Sequence, residues 1–398
     1  MRKIISFLTI VIFYSFSAQT AQLKRVAAIG FYNVENLWDT IRSADYIDGT
    51  LPKSHRNFHR SIPLDSLKYL DFDDAYKGKW SDDFLIGKKV VRYQAASEEF
   101  TPKSSKNYTH NIYQQKLLNA SKVISELGSK YTKSAPVVVG LAEVENRQVV
   151  EDLVKQPPLE KFDFGVVHYN SYDPRGIDVA LIYQKKRFTV THSEKKELVV
   201  FNEDGKREYT RDILVVSGIL DGERMAFFVN HWPSRRGGEA VSLPKRNAAA
   251  ALLKQQMDSV AAKNPSTKLI AMGDFNDDPV SPSFRNHLKA VGDIKELNNE
   301  NPYFNPMYKM YKNGVASLAY QDAPNLFDQI IYSKNLISDT ATQEYSVYKT
   351  EVYAPPYLIN KEGSYKGYPF RSWDGDRYTK GYSDHFPVFT VLQKLYVQ

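Results

Sequence analysis

Five apolar runs of this chain meet side chains that can do chemistry. Ala27–Tyr32 leads into Asn33-Val-Glu35-Asn, Val137–Ala142 into Glu143, Met225–Val229 into Asn230-His231, and Leu269–Gly273 into Asp274-Phe-Asn276. Asp384-His385 instead precedes the run Phe386-Pro-Val-Phe389. One polar strand end is ordinary, because turns favour Asn and Asp; five bring carboxylates, amides and imidazoles within reach of a common edge. Glu143, Asp274, Asp384 and the Asn33/Glu35 pair offer only oxygen donors, which suit a hard cation such as Mg²⁺ or Mn²⁺. Beside His231 and His385, such a cation equips a site to hydrolyse a phosphate ester. The metal offsets developing charge, a carboxylate or imidazole positions or deprotonates water, and an imidazole protonates the leaving oxygen.

The groups can meet only if the elements carrying them share one rim. Short runs rich in Val, Ile and Phe predict strands at 26–32, 136–142, 164–168, 177–183, 212–219, 225–230, 267–272, 326–332 and 386–392. Tyr113, Leu117, Ala120, Ile124 and Leu127 fall at helical spacing, and a second amphipathic helix is expected from near Pro244 to about Ala262. Strands interleaved with helices predict an α/β or α+β core. Because Asp384-His385 stands before its strand, it joins the others only if that strand runs antiparallel to them, so the sheet must be mixed. Segments 40–109 and 333–383, rich in Tyr, Lys, Asp and Ser, read as insertions.

Composition narrows the chemistry further. With 42% hydrophobic and 25% charged residues the 398-residue chain is globular, not disordered or fibrous. The absence of cysteine excludes disulfides, zinc-thiolate sites and a cysteine nucleophile. Neither Gly-x-Ser-x-Gly nor a Gly-x-x-x-x-Gly-Lys phosphate loop occurs. The net charge of +7 favours an anionic partner modestly, and its even spread argues against a DNA-coating protein. Arg2 and Lys3, the uncharged run Ile4–Phe16 and the small residues Ser17, Ala18 and Ala21 predict a secretory signal peptide over 1–21. Its apolar run is too short for a membrane anchor, and its removal leaves one soluble domain, 22–398, secreted or periplasmic.

The motifs around these residues resemble the endonuclease/exonuclease/phosphatase superfamily, which includes deoxyribonuclease I, and within it the exported bacterial branch. The resemblance rests on Asn33-Val-Glu-Asn-Leu, Glu99-Phe-Thr-Pro, Glu143-Val-Glu-Asn, Arg175-Gly-Ile-Asp-Val-Ala-Leu, Asn230-His-Trp-Pro-Ser-Arg, Met272-Gly-Asp-Phe-Asn-Asp-Asp-Pro and Gly381-Tyr-Ser-Asp-His-Phe-Pro-Val, in that order. It implies a four-layer αββα sandwich of two mixed sheets with the site at one rim. It also implies a Mg²⁺- or Mn²⁺-dependent phosphodiesterase, first of all a nuclease acting on DNA or RNA. The rivals are a phosphomonoesterase, a sphingomyelinase-like lipid phosphodiesterase and a binding protein without turnover. Neither membrane insertion nor an obligate protein partner is expected.

By the same resemblance, Asn33, Glu35, Glu143 and Asp384 would hold or orient the metal, with Glu145 a weaker candidate. His231 would contact the scissile phosphate or act as general acid, while Asp274 and Asn276 would position nucleophile and phosphate. His385 would be base or phosphate-polarising group, oriented by Asp328. Arg175 and Asp178 would form a conformational or phosphate-binding pair. Arg235 and Arg236, next to His231, are further candidates for phosphate contact, since a guanidinium fork binds two oxygens. The chain departs from the family at Ala142, where Gln is common, and in a long insertion over 42–97, read as a flap outside the core that restricts substrate. Trp38, Trp232 and Trp373 read as packing residues, His55 and His59 as solvated ones.

Overall fold

The computed structural model describes residues 23–40 and 98–396, apart from positions 172, 174, 206, 321 and 339, together with the strand backbone of 44–49, 80–86 and 89–95. The expected signal peptide, His55, His59 and much of the 42–97 insertion lie outside the described residues. Within that insertion, Ala44–Gly49, Trp80–Ile86 and Lys89–Ala95 form an antiparallel sheet of their own.

In chain order the principal strands are β1 (Leu23–Leu37), β2 (Val138–Val144), β3 (Phe164–His168), β4 (Asp178–Gln184), β5 (Phe188–Lys196), β6 (Ile213–Leu220), β7 (Glu223–His231), β8 (Lys268–Asp274), β9 (Asp328–Ser333), β10 (Ser346–Val352) and β11 (Val388–Tyr396). The principal helices are α1 (His110–Glu126), α2 (Arg147–Val154) and α3 (Glu239–Lys263). One sheet has the order β10-β11-β1-β2-β4-β3; the other runs β9-β8-β7-β6-β5, with two short strands beyond β9. Both are mixed: β1 and β2 pair in parallel, as do β7 and β8, and their outer neighbours pair antiparallel.

Alternation along the strands builds the layers. Ile29, Phe31 and Leu181 of one sheet face Val229, Met272 and Ile330 of the other in the central core. The opposite faces carry Val139 and Leu141, which pack with Leu117 and Ile124 of α1, and Phe228, Leu269 and Ala271, which pack with Ala250, Leu253 and Met257 of α3. The result is the expected four-layer sandwich, helices outside two sheets. Gly140 on β2 permits the close approach at its centre, since a Cβ there would lie 2.7 Å from Met272 Sδ.

All nine expected strands are present, extended or shifted by a few residues. Of the principal elements, two strands and one helix are not expected from the sequence, and their positions explain why. β5 and β10 are edge strands whose charged, half-exposed sequences dilute the apolar alternation. β10 also corrects the reading of 333–383 as insertion alone, because Ser346–Val352 completes the first sheet against β11. α2 is short, capped by Asn146, whose side chain accepts the Val149 N–H. α3 starts five residues before Pro244; Pro244 lies in its second turn.

Candidate active site

Two crossovers place the site. In β1–α1–β2 and β7–α3–β8 the paired strands are parallel, so each crossover delivers two carboxyl ends to one edge of its sheet. These ends carry Asn33, Glu35 and Glu143 from the first sheet and His231 and Asp274 from the second. β9 and β11 run antiparallel to their neighbours, so their amino ends bring Asp328 and Asp384-His385 to the same rim. The requirement for a mixed sheet is therefore met.

Irregular backbone turns the donors out of the pleat. Register shifts fall between Asn33 and Leu37 on β1 and between Ala142 and Val144 on β2. Glu35, Asn36, Glu143 and Asn276 all have left-handed φ, between 50° and 64°. That conformation is costly for residues with a Cβ, and it persists where surrounding contacts enforce it. Those contacts are present: Glu35 N–H donates to Asn33 Oδ1 at 3.1 Å, Asn36 N–H to Glu143 Oε2 at 3.1 Å, and Asn276 N–H to Asp274 Oδ1 at 3.0 Å.

Asp274 is the hub between the sheets. Its Oδ2 accepts Asn33 Nδ2 at 3.1 Å and lies 3.5 Å from His231 Nε2 and 3.9 Å from His385 Nε2. Burial, reinforced by the charges of Asp328 and Glu143 and opposed by His385, raises its pKa to about 6. The two histidines diverge. Burial disfavours charge on both, but at His385 the carboxylates of Asp328 and Asp274 outweigh it and hold the imidazole well above its usual range. At His231 the Arg211 and Arg175 charges add to burial and push the pKa well down, and Nδ1 is buried without a partner. One imidazolium and one neutral imidazole thus flank one carboxylate, the separation of protonation states that acid–base chemistry needs.

These groups line a cavity of about 260 Å³ formed by Glu143, Arg175, Arg236, His231, His385 and Asn276, among others. Arg175 reaches Glu143 through both terminal nitrogens, at 3.4 and 3.5 Å, and donates to Asn36 Oδ1 at 2.7 Å. Burial of the Glu143 carboxylate is outweighed by Arg175, His385 and Arg211, so its pKa lies below the usual range. Two expected substrate contacts are placed elsewhere. Arg235 bonds Asp278 at 3.1 Å and Asp277 at 3.4 Å and lies over the Phe327 ring, so carboxylates already fill its fork. The Asp178 carboxylate accepts Ser171 N–H at 2.7 Å and meets His168 Nε2 at 3.1 Å, so it ties down the loop before β4 and does not itself line the cavity. Glu145 is buried and accepts Asp39 N–H. Trp38, Trp232 and Trp373 are buried in packing, Trp232 against Phe275 and Phe284 and the other two around Phe100.

Residues 90–394 match the Endonuclease/Exonuclease/phosphatase family. The chain belongs to this family. No curated protein sequence matches it significantly. Among solved structures, an endonuclease/exonuclease/phosphatase family protein from Bacteroides thetaiotaomicron is similar at 12% identity and a TM-score of 0.47, over 94% of this chain and 97% of that one. A mannosyl-6-phosphatase from the same organism is 13% identical with a TM-score of 0.46, over 92% and 99%. D. rerio TDP2 complexed with a single-strand DNA product is 15% identical with a TM-score of 0.45, over 69% and 92%.

Members of the endonuclease/exonuclease/phosphatase family hydrolyse phosphate esters and typically depend on a divalent cation. Among the described residues no three His, Asp or Glu side chains converge closely enough to enclose one. The donors nevertheless fit a cation of the Mg²⁺ type, which takes one or two carboxylates and completes its shell with water and phosphate oxygens. Glu143 presents its carboxylate at the cavity, held by the Asn36 N–H and by a long guanidinium pair with Arg175. Glu35 and Asp384 share Arg371, at 3.7 and 3.5 Å. Burial, then the Asp384 charge, lifts Glu35 to about 7.

Sequence reasoning missed four residues that brace this rim. Lys116 of α1 is buried, donating to Glu35 O at 2.7 Å and Ser372 Oγ at 2.8 Å; its position three residues after Tyr113, on the apolar stripe, was the available signal. Ser317 Oγ donates to Asp328 Oδ2 at 2.6 Å. Arg211 pairs with Asp173 at 2.8 Å and donates to Trp232 O at 2.6 Å, while the other Asp173 oxygen caps the Arg175 N–H at 2.9 Å. These contacts join loop residues distant in sequence, and no local pattern marks them.

Proposed function

We propose that this chain is a divalent-cation-dependent phosphodiesterase acting on nucleic acid. The observation that carries the reading is the shape of the rim. The 260 Å³ cavity, large enough for a phosphate group, shares Arg211, Ser234 and Arg236 with a space of about 780 Å³, and Asp384, next to His385 of the cavity wall, lines another of about 560 Å³. A monoester needs an exit on one side of its phosphorus; a diester needs one on both. The basic balance of the chain and the Arg236 side chain at the cavity favour a polyanion.

Glu143 would hold the cation, with Asn33, Glu35 and Asp384 orienting or completing its surroundings. When bound, the cation supplies Lewis-acid stabilisation of charge on the phosphate oxygens. The chain's own groups do the rest. His385, with Nδ1–H directed to Asp328, presents Nε2 to the cavity and polarises the phosphate as an imidazolium, which leaves the base role to another group. Asp274 is placed to accept a proton from the attacking water, its position set by Asn33 and by the Asn276 N–H. His231, neutral beside Asp274, donates a hydrogen bond to phosphate. Asn276, its Nδ2 fixed on Trp232 O at 3.0 Å, keeps its oxygen available to orient water or phosphate.

We extend the proposal to location. The charged, apolar and small-residue pattern of 1–21 supports export, and no helix among the described residues is long and apolar enough to cross a membrane. Incubation with plasmid DNA, RNA, sphingomyelin and a phosphomonoester tests the substrate. Cleavage of a nucleic acid at the highest kcat/KM is expected, and preferential turnover of sphingomyelin or the monoester overturns the reading.

A further inference from the structure

The 560 Å³ opening lined by Asp384 differs in chemistry from the cavity lined by its neighbour His385. Its walls include the rings of Tyr320, Tyr365 and Tyr368, with Leu318, Pro369 and Arg371. Tyr320 is 67% exposed and Tyr365 39%. Tyr368 is held rigidly, since its hydroxyl donates to Asp322 Oδ1 at 2.6 Å and accepts the Asp322 N–H at 2.8 Å. The Tyr365 and Tyr368 rings meet edge to face with centroids 5.7 Å apart.

Arg371 joins this aromatic wall to the catalytic rim. Its guanidinium lies 5.9 Å from the Tyr365 ring centre and reaches Asp384 at 3.5 Å and Glu35 at 3.7 Å. Asp384 in turn precedes His385. The wall that holds the tyrosines thus meets the cavity wall where Asp384 Oδ1 lies 4.0 Å from His385 Nε2.

We propose that this opening is a nucleobase subsite, which stacks the base of the nucleotide on the Asp384 side of the scissile phosphate. The inference rests on the nucleic-acid reading above and names where one base goes. A planar ring with polar edges matches phenol faces bordered by Asp322, Ser364 and Arg371, whereas an acyl chain would press apolar surface against these polar groups and keep water from them. Tyrosine faces stack every base, so affinity is gained here with little sequence preference. Ordered beforehand by its pair with Asp322, the Tyr368 ring loses little freedom on binding.

The test uses the full enzyme with Mg²⁺, the dinucleoside monophosphate dTpdT, and two analogues in which one or the other thymine is replaced by hydrogen. For the unmodified protein, loss of one particular thymine should raise KM at least tenfold with kcat changed less than threefold, and loss of the other should matter little. The double variant Tyr320→Ala/Tyr365→Ala should raise KM for dTpdT by a similar factor and cease to distinguish the analogues. Tyr320→Phe, which keeps the ring, should retain the original KM. If dTpdT is cleaved but KM responds neither to the missing bases nor to the tyrosine changes, the subsite is overturned and the nuclease reading stands. If no dinucleotide is cleaved while a sugar phosphate or sphingomyelin is, both are overturned.

Discussion

His385 Nδ1 lies 2.7 Å from Asp328 Oδ2, a contact between residues 57 positions apart that ties the amino end of β11 to that of β9 and so joins the two sheets at the rim. Ser317 Oγ donates to the same carboxylate oxygen and accepts the Asp328 N–H at 3.2 Å, which leaves Asp328 no freedom to turn away. The carboxylate fixes the proton on Nδ1 and frees Nε2 for the cavity.

Asp328→Asn preserves size but can present a donor to the ring and admit the wrong tautomer. We expect kcat to fall by roughly 10²–10⁴, the range over which positioned acid–base groups act, with the melting temperature little changed. Asp328→Asn combined with His385→Ala should be scarcely worse than His385→Ala alone, because the pair acts as a unit. Losses that multiply in this kinetic cycle would mean that the two residues work independently.

The Arg211–Asp173 pair is buried and fixes the loop that carries Arg175. Arg211→Met strands the Asp173 charge and should cost about 3–5 kcal/mol of unfolding free energy in urea, as for other buried pairs broken on one side. Adding Asp173→Asn removes the stranded charge and should restore part of that loss. Equal stability of the single and double variants would show that the ion pair itself matters little.

The legibility of this chain in its sequence follows from the same contacts. Strands buried on both faces, such as β2 and β8, read as unbroken apolar runs, and the polar residues at their ends marked the rim. The edge strands β5 and β10 half-face solvent and lose that signal. Among site residues, those at strand ends were found because the backbone itself delivers them. Arg211, Asp173 and Ser317 were not, because their roles exist only once distant loops meet. Arg235 was misplaced for a related reason: adjacency to His231 in sequence does not set direction, and Asp277 and Asp278 draw its guanidinium away from the cavity.

Away from the rim, Asp221 accepts hydrogen bonds from Arg187 and Tyr345 and pairs with Arg25 at 2.8 Å. Burial would raise its pKa, but Arg187 and Tyr345 outweigh burial and lower it. A folded pKa below the unfolded value of about 3.9 adds stability that is complete above that pH and lost as pH falls through the folded value. Asp221→Asn should therefore lower the melting temperature clearly at pH 7, with the gap closing below about pH 4. A gap that stays constant from pH 7 to pH 2 would remove the carboxylate charge from the explanation.

Glu143→Gln keeps the shape of the proposed cation ligand and removes its charge. Activity should then require a higher concentration of Mg²⁺ or Mn²⁺, with the thermal transition near that of the unmodified protein. An unchanged metal dependence would take Glu143 out of contact with the cation.

The most direct test of the account is the rate of hydrolysis of bis(p-nitrophenyl) phosphate and of p-nitrophenyl phosphate by the same preparation, with Mg²⁺ or Mn²⁺ and with excess EDTA. The account predicts that the diester is the better substrate by at least tenfold in kcat/KM and that EDTA abolishes turnover of it until cation is restored. Full turnover of the diester in EDTA, or a preference for the monoester, would contradict it.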